Sequence, residues 1–157
     1  MTTDSARMHD TRPHLMFEVA DNVVAVSINH VKDVLFEARV TKVPLASKEV
    51  YGVLNLRGRI VTAISSRAIL KMAPRDPGDD FTAIVVEYHG EDYAVIVDKV
   101  IETVDLPDIE REETPRTMDP HWRRMLSGIY KIEDRLLPIL DLDQMFSFLD
   151  DGIIQVS

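Results

Sequence analysis

The chain has 157 residues, 45% hydrophobic and 29% charged, enough for one compact domain and unlike the composition of a disordered protein. It contains no cysteine, which excludes disulfide frameworks, thiolate nucleophiles and cysteine-based zinc sites. The net charge of -9 is uneven, +3 through Asp76 and -12 from Pro77 onward. That dipole argues against general nucleic-acid binding and suits a protein that meets different partners on different faces.

Residues 1–13 read as a flexible arm, too polar for a secretory signal. No stretch reaches the roughly 18 apolar residues of a membrane span, so a cytoplasmic protein without direct membrane insertion is expected. Structure is expected to begin near Leu15. Leu15 to Val19 and Val23 to Ile28 form a hairpin about Ala20-Asp21-Asn22, and His30 to Leu35 continue as strand or turn. Val40 to Pro44 is extended, because Val43 precedes a proline. Val50 to Leu56 and Arg59 to Ile64 make the strongest hairpin, with Arg57-Gly58 at its turn and Gly58 at positive φ. Arg67 to Met72 fits a short helix. Pro74 to Asp80 is a loop and the expected boundary between a first unit, mainly 15–73, and a second, mainly 81–149.

The second unit repeats the order of the first. Phe81 to Tyr88 and Tyr93 to Val97 pair about a His89-Gly90 turn, and Val100 to Leu106 follow. Gly128 to Ile132 and Arg135 to Leu140 flank Glu133-Asp134, as Gly52 to Leu56 and Arg59 to Ile64 flank Arg57-Gly58. The first hairpins of the two halves align at an offset of 69 and the later hairpins at 76, leaving extra residues in the charged loop Pro107 to Arg124. Leu142, Met145, Phe146 and Leu149 have helical spacing, and Ile153 to Val156 reads as a final strand. Many short strands with polar turns indicate an all-β chain of two small barrels, each near 70 residues and each gaining from contact with the other.

Chemistry is sparse. The five histidines His9, His14, His30, His89 and His121 lack paired metal-ligand spacing, and no phosphate loop, dinucleotide fingerprint or nucleophile elbow occurs. No cofactor or metal is expected. Arg57 stands out as a charge at the tip of an apolar hairpin, either a solvated turn residue or a bidentate partner for a carboxylate. Val31, Val34 and Leu35 fit either a core strand or an exposed contact surface. Trp122 reads as an anchor for the long loop in preference to a surface hot spot.

Gly52-Val53-Leu54-Asn55-Leu56-Arg57-Gly58-Arg59-Ile60-Val61 resembles the central signature of the CheW-like domain family. The hairpin from Phe17 to Val31, the segment Val95 to Val100 and the segment Leu136 to Leu142 resemble further family segments in the same order, so the likeness runs from Leu15 to Leu149. The resemblance implies two packed five-stranded SH3-like β-barrels with short helices and no enzymatic activity. It implies an adaptor that couples the cytoplasmic tips of chemoreceptors to the regulatory domain of a CheA-type histidine kinase, recruited to membrane-associated arrays. By position, Val31, Asp33 and Val34 would meet the kinase, and Arg57 with Asn55 and Gly58 the receptor. The chain departs from the family pattern at Thr62, Ser65 and Ser66, where proline, aspartate and leucine are usual. These departures motivate an alternative: a non-coupling module that competes for array positions or serves a specialised pathway. At this length a free-standing coupling protein is expected, with no room for kinase or receiver domains.

Overall fold

Alternating apolar residues set the strands, and glycine or polar pairs set their turns. The computed structural model describes residues 11–107, 111–112 and 114–147; the expected strand at Ile153 to Val156 and residues 1–10 of the arm lie outside them. The elements are β1 (Thr11–Val19), β2 (Asn22–Ser27), a 3₁₀ turn (Ile28–His30), β3 (Val31–Leu35), β4 (Val50–Leu56), β5 (Arg59–Ser65) and α1 (Ser66–Ile69). There follow β6 (Thr82–Tyr88), β7 (Glu91–Val97), β8 (Lys99–Pro107), β9 (Arg111–Glu112), α2 (Pro120–Met125), β10 (Leu126–Ile132), β11 (Arg135–Leu140) and α3 (Leu142–Met145). β1 starts at Thr11, ahead of the expected Leu15, because Thr11, Arg12 and Pro13 pair with Pro107, Leu106 and Asp105 of β8.

The expected pair of five-stranded barrels does not form. One sheet has six strands in the order β8-β1-β2-β11-β10-β9, the other five in the order β3-β6-β7-β5-β4, and neither closes on itself. Closure would require the two edge strands of a sheet to bond to each other. The outer edge of β4 is instead met by a single bridge between Thr41 and Val53. Both sheets are mixed, each with one parallel junction, β11 beside β2 and β5 beside β7.

Each sheet draws strands from both halves of the chain. The hairpin β1–β2 joins β8, β10 and β11, while β6–β7 joins β3, β4 and β5. Applying the offsets of 69 and 76 converts one pairing scheme into the other. Ala63 pairs with Ala94 across β5 and β7, and Ile139 with Ala25 across β11 and β2. Both later hairpins slip register just before a glycine, between Val50 and Gly52 and between Leu126 and Gly128. The duplication is therefore written in hydrogen bonds, with the first hairpin of each half exchanged between units.

Period-two alternation divides the side chains between an inner face and two outer ones. Leu15, Phe17 and Val19 of β1, Val24 and Val26 of β2, Ile84, Val86 and Tyr88 of β6, and Val95 and Val97 of β7 meet in the main core. The opposite faces hold smaller clusters, one around Ala94, Ile96 and Val61, the other around Ala25, Tyr130 and Leu137. The exchanged hairpins are thus buried on both sides, as central strands are.

Asp98 holds the sheets together at one end. Its backbone N–H donates to Glu18 O at 2.9 Å, and its carboxylate accepts the Ala20 N–H, Arg67 Nε at 3.1 Å and a guanidinium nitrogen of Arg75. Burial alone would raise this carboxyl, but hydrogen bonds from Arg75, Ala20 and Arg67 outweigh it and hold it below its ordinary value of 3.8. The charged stretch 107–124, expected as a loop, runs into one short helix, α2. Asp119 caps α2 by accepting the His121 N–H at 2.8 Å, with Pro120 in its first turn. That helix packs Trp122 against the main core, and His121 Nε2 lies 2.7 Å from Ile69 O, so Trp122 is the expected anchor.

Candidate partner-binding surface

The β4–β5 hairpin turns through Arg57 and Gly58 alone, with Leu56 facing Arg59. Both turn residues are left-handed, at φ 52° and 88°. A two-residue turn of this kind requires positive φ at both central positions, which glycine adopts freely and arginine at a cost of about 1 kcal/mol. Asn55 stabilises it, its Oδ1 accepting the Gly58 N–H at 2.8 Å. A Cβ at Gly58 would meet nothing within 4 Å, so the requirement for glycine there is conformational.

The turn projects Arg57 outward, its side chain 83% exposed, and one guanidinium nitrogen donates to Asp33 Oδ2 at 3.1 Å. Asp33 sits on β3, an edge strand whose register slips between Val31 and Asp33. Such a slip re-aims side chains, and here the other carboxylate oxygen, Oδ1, accepts the Val34 N–H at 2.8 Å. An ion pair this exposed adds at most about 1 kcal/mol to stability. Its effect is positional: it ties the hairpin tip to the sheet edge.

Val34, Phe36, Arg39, Asn55 and Arg57 line a shallow depression of about 560 Å³. Phe36 is 68% exposed there, a large apolar ring at the rim of a charged groove. Phe36 ends the apolar run Val31 to Phe36, which the sequence offers as either core or contact surface, and it is the most exposed large apolar residue of that run. Val31 and Val34 are half-buried against the main core, and of the two only Val34 also lines the depression.

Beside the groove, Asp92 accepts from Lys32 Nζ at 3.0 Å and from Arg59 at 2.5 Å. The hydrogen bond from Lys32 and then that from Arg59 lower the Asp92 carboxyl below its usual range. Lys32 on β3, Arg59 on β5 and Asp92 on β7 are thereby stitched across one face. The structure thus brings Asp33, Val34, Asn55 and Arg57 together, places Gly58 as a turn former and turns Val31 toward the core. Among the described residues, no group of three or more His, Asp or Glu could hold a metal ion, and no helix is long and apolar enough to cross a membrane.

Two of the three departures from the family pattern, Ser65 and Ser66, have local explanations. Ser65 caps α1, its side chain accepting the Ala68 N–H at 3.2 Å, as Asp141 caps α3 through the Gln144 N–H at 3.3 Å. Ser66 is fully buried, and its hydroxyl donates to Ile96 O at 2.5 Å; its counterpart Leu142 fills the main core.

The CheW-like domain profile matches residues 13–149. A probable chemotaxis protein CheW of Rhizobium etli is 27% identical over 136 residues, 87% of this chain and 88% of that protein. The chemotaxis protein CheW of Bacillus subtilis is 28% identical over 127 residues, 81% of each chain. The crystal structure of the scaffolding protein TtCheW from Thermoanaerobacter tengcongensis matches with a TM-score of 0.76 at 27% identity, over 87% of this chain and 92% of that one. With profile, relatives and fold in agreement over nearly the same span, the chain belongs to the CheW-like domain family, the coupling adaptors of chemotaxis.

Proposed function

We propose that the protein couples chemoreceptor tips to the regulatory domain of a CheA-type histidine kinase through adjoining parts of one surface. In this reading Val31, Asp33 and Val34 on the β3 edge meet the kinase, Val31 through the strand backbone because its side chain faces the core. Arg57 meets the receptor, with Asn55 and Gly58 holding the turn that presents it.

The observation that carries the reading is the Arg57–Asp33 ion pair. It joins the two surfaces through groups that a partner can compete for. A receptor carboxylate engaging Arg57 draws it from Asp33, leaving that carboxylate free for a kinase donor. The exposed Phe36 supplies the apolar contact that a charged groove needs for affinity. Ser65 and Ser66 act within the fold, so those two departures give the competitor reading no support.

Purified protein added to reconstituted receptors and kinase is expected to stimulate kinase activity. Inhibition under the same conditions would overturn the coupling role in favour of competition for array positions.

A further inference from the structure

Among the described residues, two buried side-chain polar atoms have no hydrogen-bond partner, Ser47 Oγ and Arg75 Nε. Both residues line the same cavity, about 900 Å³ in volume, formed by the segment before β4, the start of β4, α1 and the loop after α1. This cavity shares no residue with the groove at Arg57. Both atoms are closed to solvent, so these residues line the cavity through their other atoms.

The charge around them is one-sided. Lys42, Lys48, Arg67, Lys71 and Arg75 line the cavity, and no acid does, in a chain of net charge -9. Arg67 and Arg75 share Asp98. Among the described residues no acid lies within ion-pair distance of Lys42, Lys48 or Lys71. Three unpaired ammonium groups facing one hollow create a positive potential that favours an anion.

The remainder of the wall is apolar and aromatic. Tyr51 is met by two cations, with Lys42 Nζ 3.9 Å from its ring centroid and the Arg75 guanidinium carbon 6.0 Å from it. Val43, Met72 and Ile96 complete the apolar part. The volume far exceeds that of a bare ion and falls within the range of small-molecule sites. Arg75 itself is fixed, its side chain 5% exposed, tied to Asp98 and stacked 5.5 Å from the Phe81 centroid. Its guanidinium is thus a fixed part of the wall.

We propose that this cavity binds a small organic anion, with a phosphate or carboxylate head held by Lys48 and Lys71 and an apolar body against Tyr51. The test is titration of the full chain with phenyl phosphate and, separately, benzoate at constant ionic strength, followed by amide chemical shifts. Saturable shifts centred on Ser47, Lys48, Tyr51 and Lys71 are expected for at least one probe, and which probe binds assigns the head group. The variant Lys48→Ala/Lys71→Ala changes two exposed side chains without ion pairs, so it should keep the wild-type melting midpoint and bind at least about tenfold more weakly. Failure of both probes to saturate overturns the proposal, as do shifts centred on Lys32 or Lys131. Affinity unchanged in the double variant overturns it too; should that variant melt early, the wild-type shift map alone decides.

Discussion

Arg57 carries two separable properties, a strained backbone and an exposed charge. Replacing it with alanine keeps the strain and removes a weak ion pair, so stability should change by less than about 1 kcal/mol. Receptor coupling should fall sharply, because no other cation occupies the hairpin tip. A thermal melt beside a kinase-stimulation assay checks both, and a large loss of stability would assign Arg57 a structural role. Asp98 behaves in the opposite way. Its folded pKa is depressed, so its contribution is present above the unfolded value and is lost as pH falls through the lower folded one. Acid titration of wild type should show this loss below about pH 4, and Asp98→Asn should lack that part of the slope. At neutral pH the variant should be less stable by about 3 kcal/mol, because Arg75 is buried and loses its counter-charge. The Arg57 turn was readable from an arginine-glycine pair between apolar runs. Its partner Asp33 was not, because 24 residues and a register slip separate them.

At the level of elements, Gly52 is the tightest point in β4. A Cβ there would lie 2.3 Å from Thr41 O and 2.5 Å from Val40 Cγ1. The obstacle is backbone, held by reciprocal Thr41–Val53 hydrogen bonds of 2.8 Å, and cannot rotate away. Gly52→Ala should cost about 2 kcal/mol, read as a lower urea midpoint with unchanged slope. Strand existence was legible from alternation and turns from glycine and polar pairs, and most strand ends fell within a few residues of expectation. Helix α2 was missed although Asp119-Pro120 is a cap followed by an N-terminal proline; the dense charge of 107–124 masked a local signal. Barrel closure was expected from strand number and the family likeness, neither of which fixes what an edge strand bonds to. Alternation states which face a residue takes and is silent about which strand lies alongside.

For the whole molecule, the exchange of β1–β2 and β6–β7 removes any consecutive half that can fold alone. A fragment of residues 1–76 would carry β1 and β2 without β8, β10 and β11, leaving Leu15, Phe17, Val24 and Val26 uncovered. Separate fragments 1–76 and 77–157 should show no cooperative melt, while an equimolar mixture should regain strand signal by circular dichroism. The intact chain should unfold in one transition seen alike by far-ultraviolet and tryptophan signals. A cooperative melt of either fragment alone would contradict the exchange.

The exchanged hairpin also sets a timetable for synthesis. When residues 11–27 leave the ribosome, their neighbours in the sheet, β8 and β11, have not been made; the last of them ends at Leu140. The first hairpin must wait through most of translation with two apolar faces unsatisfied, a high-contact-order route that folds slowly. The pairing of Ala25 with Ile139 and of Ala94 with Ala63 is the one that two hairpin-swapped copies of a small protein, joined end to end, would make.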